Sequence, residues 1–382
     1  MLRAMRVLFL IPSQFRSWEQ EPANHELRLP IVQCGVVGVH RTYDYKAASD
    51  ALGRAAMLAE LRELARDFVP DVIVYANTLR DWRLSPDDLR SLRGGAAKIV
   101  GMLWDTYDRP SDQEMEYFQT LDGLIVGDSL FAYTRYRLLA EHHYTNKTVL
   151  FLPGHQVLSE FFHPGDGAKI HDVSHIGTLY GVRGQFIESL ARGLPPHRTI
   201  SAFGGLFDRI ERRRVDNLVL YDYAASQKFL KIDAYAEIMR QSHCCLSLQA
   251  DAGSARVRGK TFEILASRAV CILEDTKQYR LLLPEDAVVM AASPSDAADK
   301  IAGLLDDPAE LSRRAGTGYE WFRDTFDIDA FWRDGLSAIL AGATPELRAA
   351  HARAAYEGLT GDLFAHYKGP PSEDSLMKLI FS

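Results

Sequence analysis

Cysteine is scarce and unpatterned in this chain. Four are present in 382 residues, Cys34, Cys244, Cys245 and Cys271, and their spacing fits no disulfide framework, while Cys244-Cys245 lie in an apolar, strand-like run. Buried free thiols are the expectation. Long hydrophobic runs are missing as well: the longest are strand-sized, too short for a membrane-spanning helix, and residues 1–11 lack the length and the small-residue cleavage site of a secretory leader. The protein is therefore expected in the cytoplasm. An excess of positive charge is the third absence. With a formal net charge of −7 the chain offers no extended nucleic-acid surface, although the basic spot at 209–214 is open to phosphates or to peripheral contact with the inner face of a membrane. Residues spaced to hold a metal are missing too. His171 and His175 are four apart, but their segment alternates like a strand and has no carboxylate or cysteine cluster nearby. His142-His143 closes a helical pattern, where cations favour the helix C-terminus. No metal and no resident cofactor are expected.

What is present suits a folded protein: 47% hydrophobic and 25% charged residues, in a chain long enough for two domains with cores of their own. Strands over 5–11, 35–40, 72–75, 99–104, 123–126 and 148–152 alternate with helices over 51–68, 112–120 and 129–141. The prolines and glycines between Leu152-Pro153-Gly154 and Pro164-Gly165-Asp166-Gly167 break this rhythm, as at a domain crossing. The alternation then restarts, with strands over 173–176, 199–203, 218–221, 244–248, 269–273 and 287–290. Helices follow over 183–191, 225–240, 260–267, 295–305 and 308–324. Repeated βα units imply an α/β protein whose parallel sheets are covered on both faces and bind ligands beyond the carboxyl ends of their strands. The limits read as a first domain at 1–152, a crossing at 153–170, a second domain at 171–342 and a helical tail at 343–382. The apolar end of that tail, 376–381, suits packing on the first domain or on a second copy of the chain as a homo-oligomer.

The stretch Arg258-Gly259-Lys260-Thr261-Phe262-Glu263-Ile264-Leu265-Ala266-Ser267 carries the most chemistry. It reads as a loop that delivers a basic residue and a carboxylate into the first turn of a helix, with a buried strand behind it. Lys260 can meet phosphate oxygens near the positive helix end, where unpaired backbone N–H groups also point. Glu263, one turn on, can accept hydrogen bonds from the two hydroxyls of a ribose. Together they suit a nucleoside diphosphate; the plainer alternative is a solvated i,i+3 pair on an amphipathic helix.

The order Leu152-Pro153-Gly154, Phe162-His163-Pro164, Asp172-Val173-Ser174-His175-Ile176-Gly177, Arg183 and Lys260-Thr261-Phe262-Glu263-Ile264-Leu265-Ala266 resembles that of GT-B glycosyltransferases. More narrowly it resembles the CgeB-like spore-maturation group, distant relatives of family 4 glycosyltransferases, and does so best over 149–334. The resemblance implies two Rossmann-like domains facing each other across a cleft, with a nucleotide diphosphate sugar held mainly by the second and an acceptor mainly by the first. It implies transfer of a hexosyl group to a hydroxyl of a glycan, a lipid-linked molecule or a protein, the nucleotide sugar being a co-substrate. The donor-binding residues it implies are Gly177, Arg183, Arg258, Lys260, Thr261, Phe262 and Glu263. Gly177 matches the glycine that lets backbone approach the diphosphate, and Arg183 matches a basic residue that neutralises it. Without a metal, the charge growing on the departing diphosphate must be met by Arg, Lys and helix N–H groups, so Arg183 and Lys260 are the expected catalytic cations. Kinship with family 4 implies retention of anomeric configuration.

Three positions depart from the family pattern. Lys260 stands where the CgeB-like group usually has Arg, which keeps the charge and loses the bidentate fork. Arg268 stands where glycine is common. Ala255 stands where family 4 carries a second glutamate, so a grip on the donor sugar is not implied. On the first domain, Asp105 in Trp104-Asp105-Thr106-Tyr107-Asp108-Arg109 follows a strand and is the third catalytic candidate, as general base or as anchor for the acceptor hydroxyl. The alternative is a turn or capping aspartate before the helix near 112. Ser13, Gln14, Phe15, Arg16 and Trp18 could line the acceptor. Two rival functions share the architecture: a nucleotide-sugar epimerase, and an inactive binding module suggested by Ala255 and Arg268.

Overall fold

Val7, Leu8, Phe9 and Leu10 are all fully buried, the condition of a strand covered by helices on both faces. The computed structural model describes residues 4–13, 18–77, 83–93, 97–104, 111–179, 181–204, 215–222, 230–249, 256–343, 345 and 350–364. They form two units, Met1–Gln156 with Asp327–Ser382, and Val157–Phe326.

The first unit is built on β1 (Met5–Leu10), β2 (Val37–Tyr43), β3 (Val72–Asn77), β4 (Lys98–Leu103), β5 (Gly123–Val126) and β6 (Thr148–Phe151). They lie in the order β2-β1-β3-β4-β5-β6 and every pairing is parallel. The second unit carries β7 (His171–Ile176), β8 (Ile200–Gly204), β9 (Leu218–Asp222), β10 (Ser242–Ser247), β11 (Val270–Glu274) and β12 (Val289–Ala291). Its order, β12-β11-β10-β7-β8-β9, is again wholly parallel. Chain direction across this sheet reverses between β7 and β10, and ligands of open α/β sheets bind at such a switch point, beyond the carboxyl ends of the strands. Cys34, Cys244, Cys245 and Cys271 are buried and free, as expected. No helix among the described residues is long and apolar enough to cross a membrane.

The second domain ends earlier than the expected 342. Residues 328–341, for which the sequence pattern indicated no helix, form the helix Ile328–Ala341 and belong to the first unit. Trp332, Leu336 and Ile339 enter one core with Val100, Ile125 and Leu150. The Trp332 Nε1–H donates to the carbonyl of His155 at 3.1 Å, and Thr148 Oγ1 donates to that of Ala343 at 2.6 Å. Apolar burial on the first sheet decides the boundary, because these side chains have no equivalent place to leave water. The tail helix Ala350–Phe364 also lies on the first unit, where Tyr356 donates to Glu141 at 2.6 Å and the Arg137 guanidinium stands 5.0 Å over the Tyr356 ring. The apolar end at 376–381 lies outside the described residues.

Among the described residues two that are not glycine take left-handed backbone, and both end helices. Val69, at φ 47°, closes the helix Arg54–Phe68, while Arg268, at φ 53°, follows the helix Gly259–Ala266. The glycine common at the Arg268 position is thus explained by backbone conformation, not by close packing, since Arg268 is exposed. Val69 is β-branched and 61% exposed, so its strain is offset by little packing. Val69→Gly is expected to stabilise the protein by about 1 kcal/mol. A higher urea midpoint checks it, and a lower one would refute the account.

Candidate active site

The end of β7 is shaped by two glycines. Gly177 has φ +133°, and its N–H donates to Phe203 O at 2.8 Å. A Cβ on Gly204, at the end of β8, would lie 2.2 Å from the Gly177 carbonyl oxygen, so the two strand ends approach as only glycine allows. The other side of Gly177 is close-packed as well. A Cβ there would meet Lys260 Nζ at 3.1 Å and His175 Nε2 at 3.9 Å.

Lys260 reaches this spot from the helix Gly259–Ala266, which joins β10 to β11. Its ammonium donates to the carbonyl of Ile176. Burial, then the nearby Arg183 guanidinium, pushes the amine down to about 7. Glu263, one turn along the same helix, is 7% exposed and accepts from the Tyr235 hydroxyl at 2.6 Å. Burial raises its carboxyl above the usual range, against the Tyr235 hydrogen bond and the Lys260 charge. The two side chains therefore have separate partners, and the solvated i,i+3 pair is not what forms.

Thr261 and Phe262, between them, turn inward. Thr261 Oγ1 shares hydrogen bonds with Ser247 Oγ at 3.0 Å and Tyr279 Oη at 3.1 Å, and the Phe262 ring meets that of Phe326 edge to face at 5.2 Å. Their side chains shape the helix seat and present nothing to a ligand. Arg258 stands at the N-cap, where its backbone N–H donates to Tyr279 Oη at 3.1 Å.

Arg183 opens the helix Arg183–Gly193 and is 9% exposed. Its guanidinium donates to Gln249 O at 3.3 Å, just after β10, and to Thr178 O at 3.2 Å, just after β7. It therefore spans the switch point of the sheet. The Gln249 N–H is held by the Glu274 carboxylate at the end of β11, whose pKa burial raises. Gly177, Arg183, Lys260 and Glu263 thus come together around the carboxyl ends of β7 and β10, cations over the strand ends and a carboxylate one turn away. Among the described residues no three His, Cys, Asp or Glu side chains gather as a metal set.

Sequence reasoning missed His175, Tyr235, Gln249 and Glu274, which have no local motif and reach the site through strand pairing or from another helix. For His175 the sequence carries a signal, a polar residue inside an apolar strand two places before a glycine, which neither the His171 spacing nor the motif order turns into a role. The structure gives His171 another partner, Ser201 Oγ at 3.1 Å. Asp105, Ala255 and the basic spot at 209–214 lie outside the described residues, as do Gln14, Phe15 and Arg16.

The fold has counterparts among solved structures. HepE from Anabaena, in complex with UDP and glucose, superposes with a TM-score of 0.59 at 12% identity, covering 88% of this chain and 99% of its own. The fold is GT-B. A glycosyltransferase from Rickettsia africae matches with a TM-score of 0.58 at 10% identity over 88% of this chain and 98% of that one. Sucrose-phosphate synthase from Thermosynechococcus elongatus gives 0.56 at 12% identity, over 86% and 96%. A protein-family model described as glycosyl transferase-like matches residues 183–337. That segment holds Arg183, Lys260 and Glu263 and runs on into the helix Ile328–Ala341 of the first unit, while Gly177 and His175 precede it. Among curated protein sequences none matches the chain. The narrower CgeB-like resemblance rests on motif order alone.

Proposed function

We propose that the protein is a metal-independent glycosyltransferase that moves a hexosyl group from a nucleoside diphosphate sugar to a hydroxyl acceptor with retention of configuration. One observation carries the reading: a single helix brings the Lys260 ammonium against Gly177 at the end of β7 and, one turn on, the buried Glu263 carboxylate. The first suits a diphosphate and the second a ribose diol, and one helical turn, about 5.4 Å, is the scale of their separation in a nucleotide. In the transfer the bond from anomeric carbon to phosphate oxygen breaks and the acceptor oxygen bonds that carbon on the same face. The acceptor's proton passes to the departing diphosphate, so no protein base is required. Negative charge grows on the diphosphate as its bond stretches, and Arg183 with Lys260 meets it where water is largely excluded. The GT-B fold, the glycosyl transferase-like segment and the UDP-bound HepE neighbour support this reading. The acceptor, a glycan, lipid-linked molecule or protein, is assigned to the first unit, and the reaction to the cytoplasm.

Calorimetry against a panel of nucleoside diphosphates in excess chelator, followed by mass spectrometry with the matching nucleotide sugars, tests the assignment. One diphosphate should bind, and its sugar conjugate should yield a glycosidic product. Binding abolished by chelator would sink metal independence. An isomerised donor would indicate an epimerase, and binding without turnover a binding module.

A further inference from the structure

Tyr235 has no part in the function above, yet it holds the one carboxylate on which that function depends for a ribose. It lies on the helix Ile232–Arg240 and reaches Glu263 on another helix. Its hydroxyl donates to Glu263 Oε2 at 2.6 Å, and its ring meets that of Phe162 edge to face at 6.0 Å. The second oxygen, Oε1, has no hydrogen-bond partner among the described residues and is not sealed from solvent; Glu263 keeps 7% of its surface. One oxygen is thus fixed from the protein side and the other is left accessible. An ionised carboxylate has about four acceptor positions, and Tyr235 fills one, which leaves enough for the two hydroxyls of a ribose.

Protonation would spoil that arrangement, because the acid form turns one acceptor into a donor and loses the charge that strengthens the bonds it accepts. Burial is the largest influence on Glu263 and favours the acid form; the Tyr235 hydrogen bond, then the Lys260 charge on the same helix, oppose it. Cys245 on β10 and Cys271 on β11, strands that also pack against this helix, act on Lys260 and not on Glu263, and the helix Pro308–Thr325 adds no charged group to the set. Tyr235 is therefore the stronger of the two influences that keep the carboxyl ionised.

We propose that Tyr235 is a positioning residue of the donor site: its hydroxyl pins Glu263 Oε2 and favours the carboxylate over the acid, so that Oε1 meets the ribose in the form that accepts from both hydroxyls. This deepens the donor-site reading and rests on it. The ribose grip then becomes available as pH rises through the value at which Glu263 ionises in the empty site, and Tyr235 sets that value.

Tyr235→Phe removes the hydroxyl and keeps the ring against Phe162. In the ligand-free protein, ¹³C spectra of labelled glutamate carboxyls, with Glu263→Gln to identify the signal, should place the Glu263 midpoint about one pH unit higher in Tyr235→Phe than in the wild type. Calorimetry in chelator from about pH 5 to about pH 9 reads the consequence, with UDP, ADP, GDP and CDP as probes because all four carry the same ribose. For a diphosphate that binds, the two proteins should differ little at the alkaline end, and below the wild-type midpoint Tyr235→Phe should bind about tenfold more weakly. Lys260 and the phosphates titrate in both proteins and largely cancel in the ratio. A loss of the same size at every pH would make Tyr235 a packing residue, and an unchanged Glu263 midpoint would remove its hold on the carboxylate. Either result overturns the proposal and leaves the donor site standing. Failure of all four diphosphates to bind the wild-type protein overturns both.

Discussion

Lys260→Met will abolish turnover and weaken nucleoside diphosphates by about 1.5–3 kcal/mol while leaving the bare nucleoside unchanged, and Glu263→Gln will weaken both ligands by a similar amount. The asymmetry follows from what each atom can reach. Lys260 Nζ stands beside Gly177, where the proposed reading seats the phosphates, and methionine keeps its stem without its charge. On that proposed reading the Glu263 carboxylate, with one oxygen taken by Tyr235, accepts from ribose hydroxyls that every nucleotide form shares. Stability separates this from a folding defect. Burial raises the Glu263 carboxyl above its unfolded value, so its contribution is present at low pH and lost as pH rises through the folded value. Replacing it by the neutral amide should therefore leave the melting temperature at neutral pH unchanged or higher. Nucleoside, monophosphate and diphosphate titrations of both variants check the map. Losses below about 0.5 kcal/mol with every ligand would return the pair to a surface role and place the donor elsewhere.

Trp332→Ala should destabilise the first unit by about 3–5 kcal/mol, lowering its unfolding transition by on the order of 10 °C. Trp332 is the largest fully buried side chain of the protein among the described residues. Its loss leaves a cavity among Val100, Ile125 and Leu150 and orphans the carbonyl of His155. Scanning calorimetry of the full chain reads the result. An unchanged transition would mean that the helix Ile328–Ala341 is an appendage, and the domain limits would revert to those suggested by the sequence.

The elements were legible wherever one local signal dominated. Ser111 with Glu114 forms a capping box that starts the helix Asp112–Thr120 at the residue expected, and the run Gly123–Val126 is a strand with the bounds expected. Signals were weaker where two effects competed. Gly53, at φ 79°, splits what reads as one helix over 51–68 and leaves Tyr45–Leu52 as a separate element. Pro30 hides the short helix Leu29–Gln33 because a proline at the first turn resembles a breaker. Lys260 and Glu263 were legible as a pair because they lie on one helix, three residues apart.

By itself the sequence determined the α/β class, the two doubly wound halves, the buried thiols and the helix that carries Lys260 and Glu263. All of these depend on periodicity and neighbours within a few residues. Only the tertiary structure decided that residues 328–341 return to the first unit, that Thr261 and Phe262 face inward, and that His175, Arg183 and Tyr235 come to that helix. Those choices depend on which apolar faces leave water together and on which strands pair in which register. Both involve residues far apart in the chain, and no local pattern records them.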